Sequence, residues 1–204
     1  MRFSLLLLVV LFFAGCTTVT SRQLVGSEPY PIEDPKAWHG HWTILSEDAS
    51  QPITITVANA SEGILRMTYV QVPDTPAAAS DTSVDQYPDV VSCLVQLRKQ
   101  GDAVIGNMHT VDQFDRKAKT SEVESTDKYL WFLLELGKEG PMMAFVPEAA
   151  KLAKLVESKE LTGTVKDGNV EFESLSSEQL TNLLESPESF TYRHPLVILK
   201  APTH

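Results

Sequence analysis

Apolar and polar residues alternate with a period of two over much of the chain. The alternation is clearest at residues 53–57, 65–69 and 91–97, and it is typical of strands with one buried and one exposed face. Residues 129–136 are apolar at nearly every position, which predicts a strand covered on both sides. Further strands are predicted at 103–109, 142–146 and 196–199.

Two short stretches near the C-terminus change to a helical period. In the first, Pro147 suits a first helical position, and one apolar face follows, made of Ala149, Leu152, Ala153 and Val156. In the second, Ser176 and Gln179 fit a capping box, and Pro187 ends the helix. The sequence therefore predicts two short late helices.

The strands are joined by short turns, which favours antiparallel pairing. Asp167-Gly168 lies between two of them and suits the positive φ angles of a type I′ hairpin. Since a closed barrel leaves no unpaired edge strand, we expect an antiparallel β-barrel of about eight or nine strands with two short helices. A two-sheet sandwich is the alternative.

The first fifteen residues read as a secretory signal. Arg2 precedes an apolar run at 5–13, and the small residues Ala14 and Gly15 follow. The run is well short of the ~20 residues that a membrane-spanning helix needs.

The end of this signal, Phe13-Ala14-Gly15-Cys16, resembles the lipobox of bacterial lipoproteins, with Phe13 where leucine is usual. The resemblance implies cleavage before Cys16, diacylation of its thiol and acylation of the new amine, with palmitate a typical acyl chain. Thr17, where aspartate would retain a lipoprotein in the inner membrane, implies the outer membrane. The alternative is an ordinary signal peptide with an incidental cysteine.

A second resemblance begins at the first strand of the body. Gly40-x-Trp42 matches the G-x-W that opens lipocalins, and Thr126-Asp127-x-Tyr129 is similar to their second motif, with Lys128 inserted. The resemblance implies a lipocalin-like barrel over residues 38–199. It also implies that Trp42 closes one barrel end against a basic side chain, for which Arg193 is the candidate. Lipocalins have one helix before the last strand, whereas this chain adds a hairpin and a second helix.

These patterns divide the chain into three parts. We expect a lipoprotein signal peptide at 1–15, an acylated cysteine and flexible tether at 16–36, and a lipocalin-like domain at 37–204. The tether is proline-punctuated, and a coil of its length would span roughly 25 Å. The alternative is a docked segment, with Leu24, Val25 and Tyr30 as anchors. The Pro- and Ala-rich stretch 72–89 is a long loop, for which mobility is favoured over a lid.

The charge balance narrows the classes of partner. The chain has 17 Lys+Arg against 27 Asp+Glu, a net charge of −10. This excess of negative charge opposes nucleic-acid binding, which needs a basic surface. We expect no nucleic-acid partner; the bilayer, through acylated Cys16, is the predicted partner.

The candidate chemistry is sparse. Cys93 is in phase with an apolar strand face, so a buried structural thiol is favoured over a nucleophile. His39 and His41 share a strand face at a spacing compatible with zinc or copper, but a third ligand would have to come from His109 or His194. Hydrolase and nucleotide-binding motifs are missing from the sequence. We expect no enzyme activity, no cofactor and no metal site.

Three functions remain in order of preference. The first is a membrane-anchored, non-catalytic structural or interaction module of the cell envelope, with an envelope protein as partner. The second is a lipocalin-like carrier of a small apolar ligand, and the third is a metal-binding protein using His39 and His41. The volume inside the barrel discriminates between the first two, because a carrier needs a cavity of several hundred cubic ångströms.

Overall fold

The computed structural model describes residues 17–47, 50–71, 89–115, 120–122, 127–137, 142–191 and 195–202. In chain order their strands are β1 (Val19–Ser21), β2 (Glu28–Pro29), β3 (Gly40–Leu45), β4 (Ser50–Asn59), β5 (Ile64–Gln71), β6 (Asp89–Gln100), β7 (Ala103–Asp115), β8 (Thr120–Glu122), β9 (Tyr129–Glu135), β10 (Met142–Phe145), β11 (Gly163–Lys166), β12 (Asn169–Phe172) and β13 (Leu196–Lys200). The helices are α1 (Pro35–Trp38), α2 (Ala149–Glu157) and α3 (Ser177–Glu185), with a 3-10 turn at Pro187–Ser189.

Eight of these strands close into an antiparallel barrel. Their order around it is β9, β10, β13, β3, β4, β5, β6 and β7, and β7 pairs with β9 to complete the circle. Each pair of neighbours is antiparallel. The predicted mainly-β barrel with two short helices near the C-terminus is therefore confirmed, and it is consistent with a lipocalin-like fold. Closure supplies backbone partners on both sides of every barrel strand, which an open sandwich does not.

Strand β9 is shared between the barrel and a smaller sheet. One edge pairs with β7 along residues 130–134. The other edge pairs with β10 at residues 133–135 and with β1 at residues 129–130. Beyond β1, the small sheet continues through β12, parallel to β1, to β11. This branch explains the doubly apolar sequence of β9, because Phe132 packs inside the barrel and Trp131 packs against the small sheet.

The apolar residues form two clusters on opposite faces of the shared wall. The barrel interior is filled by Trp42, Ile53, Ile55, Leu65, Tyr69, Val91, Cys93, Val95, Leu97, Val104, Met108, Phe132, Leu134, Met142, Ala144 and Leu196, together with Ile32. The outer cluster lies between the outside of β7, β9 and β10 and the layer of β1, β12, α2 and α3. Its members include Val19, Ile105, Trp131, Leu152, Phe172 and Leu180.

The helices and the hairpin follow the local signals in the sequence. Both halves of the Ser176–Gln179 capping box are present at α3. Asp167 and Gly168 have φ of 52° and 80°, as a type I′ turn requires. Helix α2 begins at Ala149, because Pro147 forms a β-bridge with Phe190 and is not its first helical residue.

The segment predicted to be a flexible tether docks on the body instead. Val19, Val25 and Ile32 are buried, and β1 is hydrogen-bonded into the small sheet. The Tyr30 N–H donates to the Leu97 carbonyl at 3.0 Å. Proline does not prevent this docking, since Pro29 lies on a short edge strand and Pro35 begins α1. Residues 17–36 therefore match the docked alternative, and the first described residues already belong to the folded body.

Candidate functional site

One end of the barrel is closed around Trp42. This side chain is 7% exposed, and its indole N–H donates to the Trp38 carbonyl of α1 at 2.9 Å. Lys200 faces Trp42 across the β3–β13 pair, and its Nζ lies 5.4 Å from the Trp42 ring centroid. The same ammonium donates to the Lys36 and Ala37 carbonyls at the end of α1. Trp42 and Lys200 thus tie α1 to the barrel.

The sequence predicts that Arg193 packs on Trp42 and does not point to Lys200. Arg193 lies outside the described residues, so its pairing stays a prediction. The missing information is the register of β13, which places residue 200 opposite residue 42. A lysine at the end of the last strand is the only sequence signal for this contact.

The barrel interior is closely packed where the described residues line it. Its cavity measures about 50 Å³ and is lined by apolar side chains, among them Trp38, Met67, Met108, Phe132 and Met142. An apolar cavity that holds benzene has a volume of ~150 Å³, and ligand pockets usually measure ~300–1,000 Å³. This cavity, as the described residues line it, is too small for a carrier's ligand.

Phe132 contributes to this filling through its neighbour across the strand pair. Gly106 pairs with Phe132, and a Cβ added at Gly106 would lie 2.5 Å from the ring carbons. The phenyl ring therefore occupies the space that a side chain at residue 106 would need. Glycine lets the two strands pair while the ring points into the barrel.

The one thiol among the described residues is buried, as predicted. Cys93 is 0% exposed, and burial raises its pKa to about 11. Its Sγ lies 3.8 Å from Thr110 Oγ1, and this hydrogen bond lowers the pKa by less than burial raises it. Burial also raises the pKa of the neighbouring Tyr69 hydroxyl. At neutral pH the thiol is protonated, so it lacks the thiolate that nucleophilic chemistry requires.

The two candidate metal ligands at the start of β3 have other neighbours. His39 Nε2 accepts from the Val57 N–H at 3.4 Å, and His41 Nδ1 lies 3.3 Å from Thr54 Oγ1. Across the described ranges, no three His, Cys, Asp or Glu side chains are grouped to hold a metal ion. His194 lies outside those ranges. Geometry therefore gives the metal-binding alternative no support.

An open groove runs over β3, β4 and β5. It encloses about 610 Å³, and its polar side chains include His41, Thr43, Gln51, Thr54 and Thr68. Among the described residues that line it there is no Asp, Glu, Lys or Arg, and one buried polar atom, the Tyr69 hydroxyl, has no hydrogen-bond partner. Trp42, Ile53 and Val70 also line it, so the groove is a mixed surface whose exposed lining is more apolar than polar.

The first described residues contact the tip of the β11–β12 hairpin. The Thr18 N–H and hydroxyl both donate to Asn169 Oδ1, at 2.7 and 2.9 Å. The Val170 N–H donates back to the Thr18 carbonyl at 2.8 Å. Cys16, the predicted lipid-attachment residue, lies just outside the described residues and is bonded to Thr17.

Comparison with known proteins adds no relative. No family model matches the chain, and neither the curated proteins nor the solved structures contain a significant match. No helix in the described ranges is both long enough and apolar enough to cross a bilayer. Stretch 72–88 and Thr126 also lie outside the described residues, so the loop and the second lipocalin motif stay predictions.

Proposed function

We propose that this chain is a bacterial envelope lipoprotein, anchored through an acylated Cys16, whose filled barrel serves as a non-catalytic structural or interaction module. The proposal starts from the lipobox-like Phe13–Cys16 and from the folded body that begins directly after it. An acyl chain contributes ~0.8 kcal/mol per buried CH₂, so two or more chains hold a protein on a bilayer stably. Thr17 supports an outer-membrane location.

The observation that carries the choice of module over carrier is the interior cavity of about 50 Å³. A ligand of carrier size would have to displace several core side chains. Close packing resists such displacement, since removing or shifting large core groups costs several kcal/mol. The open groove over β3–β5, with its mixed polar and apolar lining, supports a role for the outer surface.

The absence of catalysis is supported by the state of the reactive groups. The buried Cys93 thiol holds its proton at neutral pH, because burial raises its pKa. His41 is exposed on β3 and His39 is exposed just before it, and neither belongs to a group of three possible metal ligands in the described ranges. Our proposal therefore includes no enzyme activity and no cofactor.

Metabolic labelling tests the anchor. Radiolabelled palmitate should enter the wild-type chain and the Cys93→Ser variant, and it should not enter Cys16→Ser. The Cys93 variant controls for label attached to the other cysteine. Equal labelling of Cys16→Ser, or an unlabelled wild type, would contradict the proposal.

Ligand binding tests the filled interior. An apolar fluorescent probe such as 1-aminoanthracene should show no saturable binding to the wild-type barrel. Met142→Ala removes a buried side chain from the cavity wall, and it should bind benzene, a much smaller apolar molecule, where the wild type does not. A wild type that binds the probe at micromolar concentration, or that carries a lipid on native mass spectrometry, would favour the carrier.

A further inference from the structure

The residue next to the predicted anchor is held against one hairpin. Gly168 lies beside Thr17, and a Cβ added there would lie 2.7 Å from Thr17 Cγ2. Thr18 is bonded to Asn169 on the same turn. Lys166, Asp167, Gly168 and Asn169 form what we call the hairpin tip, which joins β11 to β12.

This contact cannot loosen without breaking the sheet. Val19 pairs with Val170, and Ser21 pairs with both Phe172 and Tyr129. Val19 and Ser21 are buried. A free tether of ~20 residues would let the body move roughly 25 Å from the membrane, but residues 17–36 are not free.

We propose that the hairpin tip rests at the lipid headgroups and fixes the orientation of the body on the bilayer. This inference depends on the proposed function, namely that Cys16 is acylated. Adjacent Cα atoms are ~3.8 Å apart, so the acylated residue lies within one residue's reach of Thr17 and its neighbour Gly168. A lipid anchor at residue 16 therefore keeps the hairpin tip close to the membrane surface.

The chemistry of the tip suits a headgroup surface. Its side chains are polar or charged, and Lys166 and Asp167 are exposed. A cation and an anion side by side match the zwitterionic headgroups of phosphatidylcholine or phosphatidylethanolamine. No side chain of the tip itself is apolar, and Val165 beside it is a single exposed apolar side chain, so the tip lies on the headgroups and does not enter the hydrocarbon.

Distance-dependent quenching tests this orientation in the full acylated chain. Two variants, each with one added cysteine, are labelled with bimane. In Lys166→Cys the label is at the hairpin tip, and in Ser61→Cys it is on the turn between β4 and β5. Strand β4 is four places from β9 around the barrel, on the opposite wall. Native labelling spares Cys93, which is buried. The protein is reconstituted in phosphatidylcholine vesicles that contain a lipid with a nitroxide on its headgroup.

We expect quenching at residue 166 to be at least threefold stronger than at residue 61. A Gly/Ser linker of about 20 residues inserted between Cys16 and Thr17 should lower it to the level at residue 61. Equal quenching at the two positions in a chain shown to be acylated by its mass would overturn the orientation alone. A linker variant still quenched like the parent would do the same. A chain without acyl groups would overturn the proposed function and the orientation together.

Discussion

The side-chain amide of Asn107 bonds to both backbone groups of Val25, 82 residues earlier in the chain. The Val25 N–H donates to Asn107 Oδ1 at 2.7 Å, and Asn107 Nδ2 donates to the Val25 carbonyl at 2.9 Å. Asn107 lies on β7 and is 0% exposed. Arg98 on β6 donates to the carbonyls of the next two residues after Val25, Gly26 and Ser27. Together with the backbone bond from the Ser27 N–H to the Lys99 carbonyl, these side chains hold residues 25–27 on the barrel.

Replacing Asn107 by leucine should release this segment. The Val25 N–H and carbonyl would lose their partners, and leaving such buried groups unpaired costs about 1–3 kcal/mol each. We expect a lower free energy of unfolding and faster amide hydrogen exchange at residues 19–32. Asn182→Leu, at an exposed position of α3, is the matched control and should change neither. Unchanged exchange in Asn107→Leu would show that the segment is held without this amide.

Gly106→Ala should destabilise the barrel by about 1–3 kcal/mol, because the new methyl group overlaps the Phe132 ring. Chemical denaturation measures the loss. Adding Phe132→Leu frees space at the methyl group, so the double variant should lose less stability than the sum of the single variants. Strict additivity would mean that the two residues do not compete for the same space.

Lys200→Met keeps the aliphatic stem and removes the ammonium group from Trp42 and α1. We expect a loss of about 0.5–2 kcal/mol, from the cation–π contact and the carbonyl bonds together. Thermal unfolding with Arg193→Ala as the comparison measures which cation closes the barrel end. A larger loss in Arg193→Ala than in Lys200→Met would restore the sequence-based assignment.

His109 should make the protein less stable in mild acid. Burial lowers its pKa, and its ring packs edge-on against Tyr129 at 5.3 Å. Between its folded-state pKa and the ordinary value near 6.5, the unfolded chain binds more protons. Stability therefore falls as pH drops below that value.

His109→Phe tests this dependence, because it keeps an aromatic ring and removes the titration. Between pH 7 and pH 5, the wild type should lose more stability than the variant. Glu171 does not interfere in this interval. Hydrogen bonds from Lys128 and Arg22 lower its pKa from 4.5, so its contribution is lost only at lower pH. Parallel stability curves for the two proteins would contradict the assignment to His109.

Local patterns predicted most of the barrel because each signal needs only a few neighbouring residues. The alternation at residues 53–57 and 91–97 marks strands whose inner face is fixed by the pleat. The capping box at Ser176 and the turn at Asp167-Gly168 are equally local. The branch of the sheet at β9 also has a local signal in the sequence, because β9 is apolar on both faces.

The docked N-terminal segment could not be predicted in the same way. Its buried residues, Val19, Val25 and Ile32, are spaced too irregularly to form a period. What holds them is distant in sequence, as the Asn107 amide shows. The position of Lys200 over Trp42 depends on strand register, and the filled interior depends on how rings such as Phe132 are oriented. Composition and periodicity do not predict the docked segment, the position of Lys200 or the packing of the interior.

The most direct test of the whole account is the mass of the N-terminal tryptic peptide of the protein extracted from membranes. Trypsin should release residues 16–22, since Arg22 is the first basic residue after Cys16. We predict that this peptide begins at Cys16 and carries a diacylglyceryl thioether and an acylated amine. A mature chain that begins elsewhere, or that carries an unmodified thiol at residue 16, would contradict the anchor and the membrane orientation derived from it.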